Sequence, residues 1–176
     1  MEKTLLPVGV RRDGSYYTRI LWTDTTEKDP TFWVNNLIND DLAREGGTWG
    51  ANTESTANVV LDFFGETQEI AKIAFYKNVG LNISILEELA KYVRIYVSET
   101  DEPLKLRRQE DKIDSVAWTQ VASMDTIMEE GWQEIVLAAP VKAKFVRIEL
   151  DDNFCKRDET FIPWIETSEV KFYPAN

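Results

Sequence analysis

The stretch from Lys144 to Leu150 (KFVRIEL) decides the fold class, because apolar and polar residues alternate from Val146 onward. Alternation with a period of two is typical of a β-strand that is buried on one face. Turn-forming Gly, Pro, Asn and Asp residues separate this stretch from other short runs of the same character. Those other runs are Asn58–Phe64, Ile70–Tyr76, Tyr92–Ser98, Ala117–Ala122, Gln133–Leu137 and Ser168–Tyr173, with Arg19–Trp22 as a weaker candidate.

One segment, Ile83–Lys91 (ISILEELAK), is predicted to be helical. Ser84 and Glu87 have the spacing of a capping box, in which each side chain bonds to a backbone N–H of the first turn. A helix this short predicts a connector that packs on the sheets. Many short strands with one short helix predict an all-β sandwich or jelly roll, and 176 residues predict a single domain over residues 1–176.

The composition excludes several classes of function. The chain has no histidine and a single cysteine, Cys155, so it offers neither a Ser-His-Asp triad nor a zinc site of His or Cys ligands. A formal net charge of −11 disfavours nucleic acid, whose phosphates are bound by clustered Lys and Arg. The densest basic run is Lys105, Arg107 and Arg108, which is either an anionic-ligand contact or a solvated loop.

The N-terminal segment predicts neither a signal peptide nor a membrane anchor. It lacks a basic start followed by an apolar run of signal-peptide length. No stretch of the chain approaches the length of a membrane-spanning helix, so we expect a soluble chain. Binding to a membrane surface is not expected either, because anionic lipid repels a chain of this charge.

Several pieces of the chain follow one another in a characteristic order and spacing. They are Asn58–Gly65 with Glu69–Tyr76, Lys91–Ser98 with Trp118-Thr119-Gln120-Val121, Pro140–Leu150, and Ser168–Tyr173. In this order they resemble the discoidin domains, also called coagulation factor 5/8 type C domains, which overlap with the family 32 carbohydrate-binding modules. The resemblance spans about residues 37–173. It implies a galactose-binding-like jelly-roll sandwich of about eight antiparallel strands, which holds ligands in loops at one end.

The resemblance also implies a structural calcium ion. The matching loop, Leu37–Asp41 (LINDD), concentrates oxygen donors on a short segment, as Ca²⁺ requires. Asp40 stands where the family has Gly, and Asn39 stands where it has Asp, so a polar turn without an ion is the alternative. The implied ligands are Leu37 through its carbonyl, with Asn39, Asp41, Thr48 and Glu169 through their side chains.

A sugar site needs an aromatic platform and fixed polar groups. The aromatic candidates are Phe154, Phe161 and Trp164 in the connection before the last strand, and Trp22, Phe32 and Trp33 around the first long loop. The polar candidates are Asn153, Arg157, Asn78 and Asn82. The absence of histidine removes a galactose contact that is common in the family. Trp49 and Trp118 match family positions that pack in the core.

The resemblance therefore implies a non-catalytic carbohydrate-binding module, extracellular or at the cell surface, within a larger bacterial protein. Its partner is expected to be a glycan or a surface protein. A protein–protein adhesion or assembly domain of the same fold, with no sugar ligand, is the alternative. An enzyme that uses two carboxylates is compatible with the composition but less favoured. Arg147 is expected to form a structural ion pair with an acid such as Asp62.

Overall fold

The computed structural model describes residues 18–25, 29–53, 56–77, 83–155 and 163–175. These ranges contain ten strands: β1 Arg19–Thr23, β2 Trp49–Asn52, β3 Thr56–Asp62, β4 Gln68–Lys77, β5 Tyr92–Ser98, β6 Thr119–Asp125, β7 Gly131–Ala143, β8 Phe145–Asp151, β9 Trp164–Thr167 and β10 Val170–Tyr173. The helical elements are short. They are an α-helical turn, Arg44–Gly47, and the 3₁₀ segments Pro30–Phe32, Val34–Ile38, Ile83–Glu88, Glu102–Lys105 and Ile113–Ser115.

The strands form two main sheets. A five-stranded sheet has the order β1-β3-β8-β5-β6, and a three-stranded sheet has the order β10-β4-β7, while β2 pairs with β9. Every paired strand is antiparallel to its neighbour. The predicted antiparallel β-sandwich is confirmed. The two four-residue strands β2 and β9 were not predicted, and Trp164 begins β9 instead of closing a loop.

The main core lies between the two sheets. Successive side chains of a strand point to opposite faces, so alternate residues of β3 and β8 reach the interior. The five-stranded sheet contributes Val59, Leu61, Ile95 and Ile148, among others, and the three-stranded sheet contributes Ile73, Phe75, Ile135 and Phe172. Trp49 is fully buried in this core, as predicted.

A second apolar cluster lies on the outer face of the five-stranded sheet. It consists of Trp22, Val60, Leu106, Val116 and Phe145, with Trp118 partly buried against it. Leu106 and Val116 belong to the long connection between β5 and β6, so this cluster fastens that connection to the sheet. Trp118 therefore packs in the outer cluster and not between the sheets.

The predicted pairing of Arg147 with Asp62 is wrong. The register of β3 with β8 places Asp62 opposite Phe145 and places Val60 opposite Arg147. Asp62 instead accepts a hydrogen bond from Arg19 at 2.7 Å. The Arg147 guanidinium contacts Glu149 at 2.9 Å and, at 3.2 Å, the carboxylate of Asp114 in the β5–β6 connection, so its role is still structural.

The predicted connector helix is a 3₁₀ segment, Ile83–Glu88, and not an α-helix. The backbone N–H of Leu89 donates to the carbonyl of Leu86, three residues back. The next N–H, that of Ala90, donates to Glu166 of β9 at 3.0 Å. The hydrogen bond from Ala90 to β9 thus ends the 3₁₀ segment. In the described part of the chain, no helix is both long and apolar enough to cross a membrane.

Candidate ligand-binding site

The predicted platform in the connection after β8 is only partly described. Phe161, Arg157, Asn78 and Asn82 lie outside the described residues. Asn153 is 3 % exposed. Its amide donates to the carbonyl of Trp164 at 2.9 Å and accepts from the N–H of Cys155 at 3.0 Å. Phe154 is half-buried, and its N–H donates to Glu87 at 2.8 Å. Both residues therefore hold the start of this connection in place.

Trp164 is half-buried and packs on strand β2. Its indole N–H donates to Oε2 of Glu166 at 2.9 Å, and its ring meets Phe32 edge-on at a centroid distance of 5.1 Å. The ring also lies directly over Gly50, where a Cβ atom would come within 2.0 Å of Cζ2. These contacts fix the orientation of the indole and cover part of its surface.

Among the predicted platform residues that the structure describes, Trp33 is the most exposed, at 46 %. It sits between the 3₁₀ segments Pro30–Phe32 and Val34–Ile38, where its extended backbone (φ −62°, ψ 148°) interrupts both. The Asp29 carboxylate caps the first segment by accepting from the N–H of Thr31 at 2.9 Å. The buried amide of Asn36 then donates to the carbonyls of Thr31 and Thr48, which anchors this loop to the start of β2.

A cavity of about 230 Å³ opens beside Trp33. It is lined by Thr23, Thr25, Trp33, Val34 and Asn35. The indole offers an apolar surface and the other side chains offer two hydroxyls and an amide, which is the composition of a small-ligand site. Sequence reasoning singled out Trp33 but missed both threonines and Asn35. The only signal for them was their position around the same polar loop.

The threonine hydroxyls of this cavity have a defined hydrogen-bond direction. Thr23 donates to the carbonyl of Asn58 at 2.8 Å, so Thr25 is the donor in the 3.0 Å contact between the two hydroxyls. The indole N–H of Trp49 lies 3.3 Å from Thr25 Oγ1. A hydroxyl oxygen has two lone pairs, so Thr25 keeps one acceptor position for a ligand hydroxyl.

Two other cavities adjoin the sheet. One, of about 240 Å³, is lined by Ile20, Leu21, Trp22, Thr23, Thr25, Arg107, Arg108 and Gln109, so it shares both threonines with the Trp33 cavity. The other, of about 610 Å³, is an open cleft whose lining includes Glu99, Glu102, Trp118 and Lys142. This cleft lies at the end of the sheet where β5 finishes and β6 begins.

The predicted calcium ligands lie in neighbouring loops at one corner of the sandwich. Glu169 is fully buried, and its Oε2 accepts the N–H of Asp40 at 3.0 Å. Thr48 is also buried, with its hydroxyl 3.3 Å from that of Ser168. Leu37 is buried beside them in the main core. The corner therefore joins the loop before β2 to the loop before β10.

The loop that carries the other predicted ligands folds tightly on itself. Asn39 Oδ1 accepts the N–H of Asp41, and Asp41 Oδ1 accepts that of Ala43. Both residues are more exposed than Glu169, and the Lys171 ammonium lies 3.0 Å from Asp40 Oδ1. Among the described residues, three or more His, Cys, Asp or Glu side chains nowhere gather as a metal-binding group. Any ion here would therefore rely on carbonyl and hydroxyl oxygens beside Glu169.

A buried cation lies near this corner. Lys77 is fully buried at the end of β4, and its Nζ donates to the carbonyl of Ala90 at 2.9 Å. Burial lowers the pKa of Lys77 to about 7, while the negative charge of Glu166 opposes the shift. The position of Lys77 under the 3₁₀ segment and β9 gives it a structural role.

No protein-family model and no curated protein matches the sequence. Solved structures do match. A family 32 carbohydrate-binding module from Clostridium perfringens, solved with GalNAc-β-1,3-galactose, is 11 % identical with a TM-score of 0.65, over 89 % of this chain and 95 % of that chain. The family 32 module of Streptococcus pneumoniae EndoD is 10 % identical with a TM-score of 0.65, over 90 % and 96 %.

A third structure extends the likeness. The family 32 module of Clostridium perfringens NanJ, solved with galactose, is 10 % identical with a TM-score of 0.62, over 89 % of this chain and 93 % of that chain. The chain has the discoidin fold. The chain resembles these modules in its backbone architecture and not in its sequence, because about nine residues in ten differ. The neighbours that share this discoidin fold are carbohydrate-binding modules.

Proposed function

We propose that the chain is a non-catalytic carbohydrate-binding module that binds a glycan through the cavity beside Trp33. The observation that carries this proposal is an exposed indole next to two oriented hydroxyls and an amide, on a fold whose solved neighbours are glycan-binding modules. A sugar ring would stack its apolar face on Trp33, and Thr25 and Asn35 would contact its hydroxyls. Trp164 and Phe154 remain predicted contacts for a larger glycan.

The test is a glycan array followed by titration calorimetry on the best-bound sugar. Trp33→Ala is expected to weaken binding at least about fivefold, since stacking of a ring face on an aromatic side chain contributes on the order of 1–3 kcal/mol for nucleobases. Trp132→Ala is the matched control, because Trp132 is 42 % exposed and lies on the three-stranded sheet, away from the cavity. Equal affinity of both variants and the unaltered protein would contradict the assignment of the site.

A protein–protein adhesion or assembly domain is the second candidate. The observation that favours it is a group of exposed apolar side chains on and before β7: Ile127, Met128, Trp132 and Val136. If these side chains form one patch, that patch is a candidate interaction surface. The two candidates separate in one experiment, because only the protein-binding function would depend on Trp132 and be indifferent to Trp33.

We also propose a structural calcium ion at the corner formed by Leu37, Asn39, Asp41, Thr48 and Glu169. Support comes from the buried Glu169 carboxylate, which already contacts the backbone of the Asn39–Asp41 loop. The ion would order this loop and take no part in chemistry. Added Ca²⁺ is expected to raise the melting temperature of the apo protein, and Glu169→Gln is expected to abolish that rise. An unchanged melting temperature at millimolar Ca²⁺ would show that the loop is a polar turn that binds no calcium.

The cellular setting follows from the same proposal. A module of this kind would act outside the cell or at its surface, as part of a larger bacterial protein that it brings to a glycan. We propose that the chain has no turnover of its own. An aryl glycoside assay checks this, and hydrolysis that is lost on changing Glu99 or Glu102 in the open cleft would contradict it.

A further inference from the structure

We propose that the groove beside Trp33 selects glycans that carry a negatively charged group, which Arg107 and Arg108 contact. This inference rests on the proposed glycan-binding function and names its ligand class. The ligand would lie with a sugar ring against Trp33 and its carboxylate or sulfate against the two guanidinium groups.

The two cavities adjoin each other at β1. Thr23 and Thr25 line the cavity beside Trp33 and also the cavity beside Arg107 and Arg108. The cavity beside Trp33 has a volume of about 230 Å³, and the cavity beside the arginines has a volume of about 240 Å³. Together they have room for more than one sugar ring. A chain of two or three sugars could therefore contact the indole and the guanidinium groups at the same time.

Arg107 and Arg108 differ from the other arginines whose side chains the structure describes. Arg19, Arg94 and Arg147 each pair with at least one carboxylate. The side chains of Arg107 and Arg108 are exposed, and the Asp111 carboxylate interacts electrostatically with Arg108. Among the described residues, neither guanidinium lies in a direct salt bridge with a carboxylate, so both can contact an external anion.

The acid next to these arginines binds their backbone. Asp111 Oδ2 accepts the N–H groups of Arg107 and Arg108, each at 2.8 Å. These hydrogen bonds lower the pKa of Asp111, so it is ionised and fixes the turn. The turn thus holds two guanidinium groups and one carboxylate, with the carboxylate oriented toward the main chain.

The turn is held against the sheet before any ligand binds. Leu106 is buried in the outer cluster, and Trp22 donates its indole N–H to the carbonyl of Arg108 at 2.8 Å. Gln109 donates to the carbonyl of Asp24 at 3.3 Å. A fixed backbone reduces the backbone part of the entropy lost on binding, and the exposed guanidinium groups are free to turn toward an anion.

The shape of β1 favours a glycan over a peptide. The arginine cavity is lined by consecutive residues of β1, so it follows the outer edge of this edge strand. A peptide would bind there by adding a strand, which needs a regular edge. The pairing of β1 with β3 shifts register between Ile20 and Trp22, and such a bulge disrupts strand addition. Hydroxyls, an indole and guanidinium groups suit an acidic sugar instead.

The test compares matched charged and neutral ligands by titration calorimetry with the full chain. Tetragalacturonate is compared with its methyl ester, and a sulfated N-acetyllactosamine is compared with the unsulfated form. At least one charged form is expected to bind severalfold more tightly than its neutral partner, because two guanidinium groups can bind its anion bidentately. The carboxylate and sulfate pairs distinguish which anion the groove prefers.

The variants assign the effect to the groove. The double variant Arg107→Ala with Arg108→Ala is expected to remove the preference for the charged form and to leave binding of the neutral form unchanged. Lys105→Ala is the control, because this exposed lysine lies in the same loop but does not line the groove. Raising the salt concentration is expected to weaken binding of the charged form only. Melting temperatures confirm that each variant is folded.

The outcomes separate this inference from the proposed function. Equal binding of charged and neutral glycans, dependent on Trp33 but not on the arginines, would overturn the charge preference and leave the glycan function standing. A failure of all four glycans and of the array would overturn both. Arginine-dependent binding of poly-glutamate without glycan binding would replace the glycan with an acidic peptide.

Discussion

At the scale of single residues, Lys77 shows how the fold treats a cation that it buries. Its ammonium group has one carbonyl partner, Ala90, and one negative charge in reach, Glu166. The free-energy cost of desolvating the ammonium group exceeds the stabilisation from these two contacts. The pKa of Lys77 is therefore lowered from 10.5 to about 7. The protonation state of Lys77 in the folded protein consequently changes near neutral pH.

This shift predicts a pH-dependent stability. Because the pKa of Lys77 is lower in the folded than in the unfolded chain, the unfolded chain binds more protons at this group between pH 7 and pH 10.5. The contribution of Lys77 to the free energy of unfolding therefore rises with pH across this window, by at most about 1.4 kcal/mol per pH unit. Urea unfolding of the unaltered protein and of Lys77→Gln measures the difference.

The difference between the two proteins is expected to grow in favour of the unaltered protein from pH 7 to pH 9.5. The other titrating groups are common to both proteins and cancel in the comparison. A difference that stays constant across this range would show that Lys77 has its ordinary pKa in the folded state.

At the scale of elements, β2 and β9 form a separate two-stranded sheet. This sheet packs against the loop that contains Phe32 and Trp33. Gly50 of β2 lies under the ring of Trp164 of β9, and the ring has no room for a Cβ atom there. The same pair adjoins Phe32, which precedes Trp33. A displacement of the Trp164 ring would therefore also displace Phe32 and the loop that contains Trp33.

Gly50→Ala is expected to destabilise the protein by about 1–3 kcal/mol, the usual cost of overpacking. The added methyl group displaces the Trp164 ring and its hydrogen bond to Glu166. Urea unfolding measures the loss. In the background of Trp164→Leu, the same glycine change is expected to cost much less, and equal costs in both backgrounds would contradict a clash with this ring.

The β5–β6 connection is the second element with a defined anchor. Leu106 is buried at 1 % exposure in the outer cluster, two residues before Arg108. Leu106→Ala is expected to lower the free energy of unfolding by about 2–5 kcal/mol through the cavity it leaves. Leu104→Ala is the control, since Leu104 is exposed in the same connection, and a similar loss from both changes would argue against the anchor.

At the scale of the whole molecule, the two sheets share one continuous core. Residues of all three sheet groups, such as Ile148, Phe75 and Ile165, belong to the same buried cluster. A shared core predicts cooperative unfolding of the domain as a unit. Tryptophan fluorescence and far-UV circular dichroism are expected to report the same urea midpoint, and separate midpoints would show that one sheet unfolds alone.

The sequence predicted the long strands well, because alternation is strong where one face of a strand packs in the core. It missed β2 and β9, since WGAN and WIET show no alternation of apolar and polar residues and Gly50 packs under the ring of Trp164. The partner of Arg147 depended on strand register, which alternation does not set. Trp33 was predicted as a platform, but its neighbours Thr23 and Thr25 were missed, because no sequence pattern shows which side chains of this region line one cavity.

The irregular edge of β1 has a further consequence for solubility. An exposed, regular edge strand is a template on which other chains add strands and aggregate. The register shift after Ile20, together with the charged side chains of Arg107 and Arg108 beside the edge, opposes such growth. Removal of both arginines is therefore expected to shorten the lag time of fibril formation in concentrated samples, independently of any ligand.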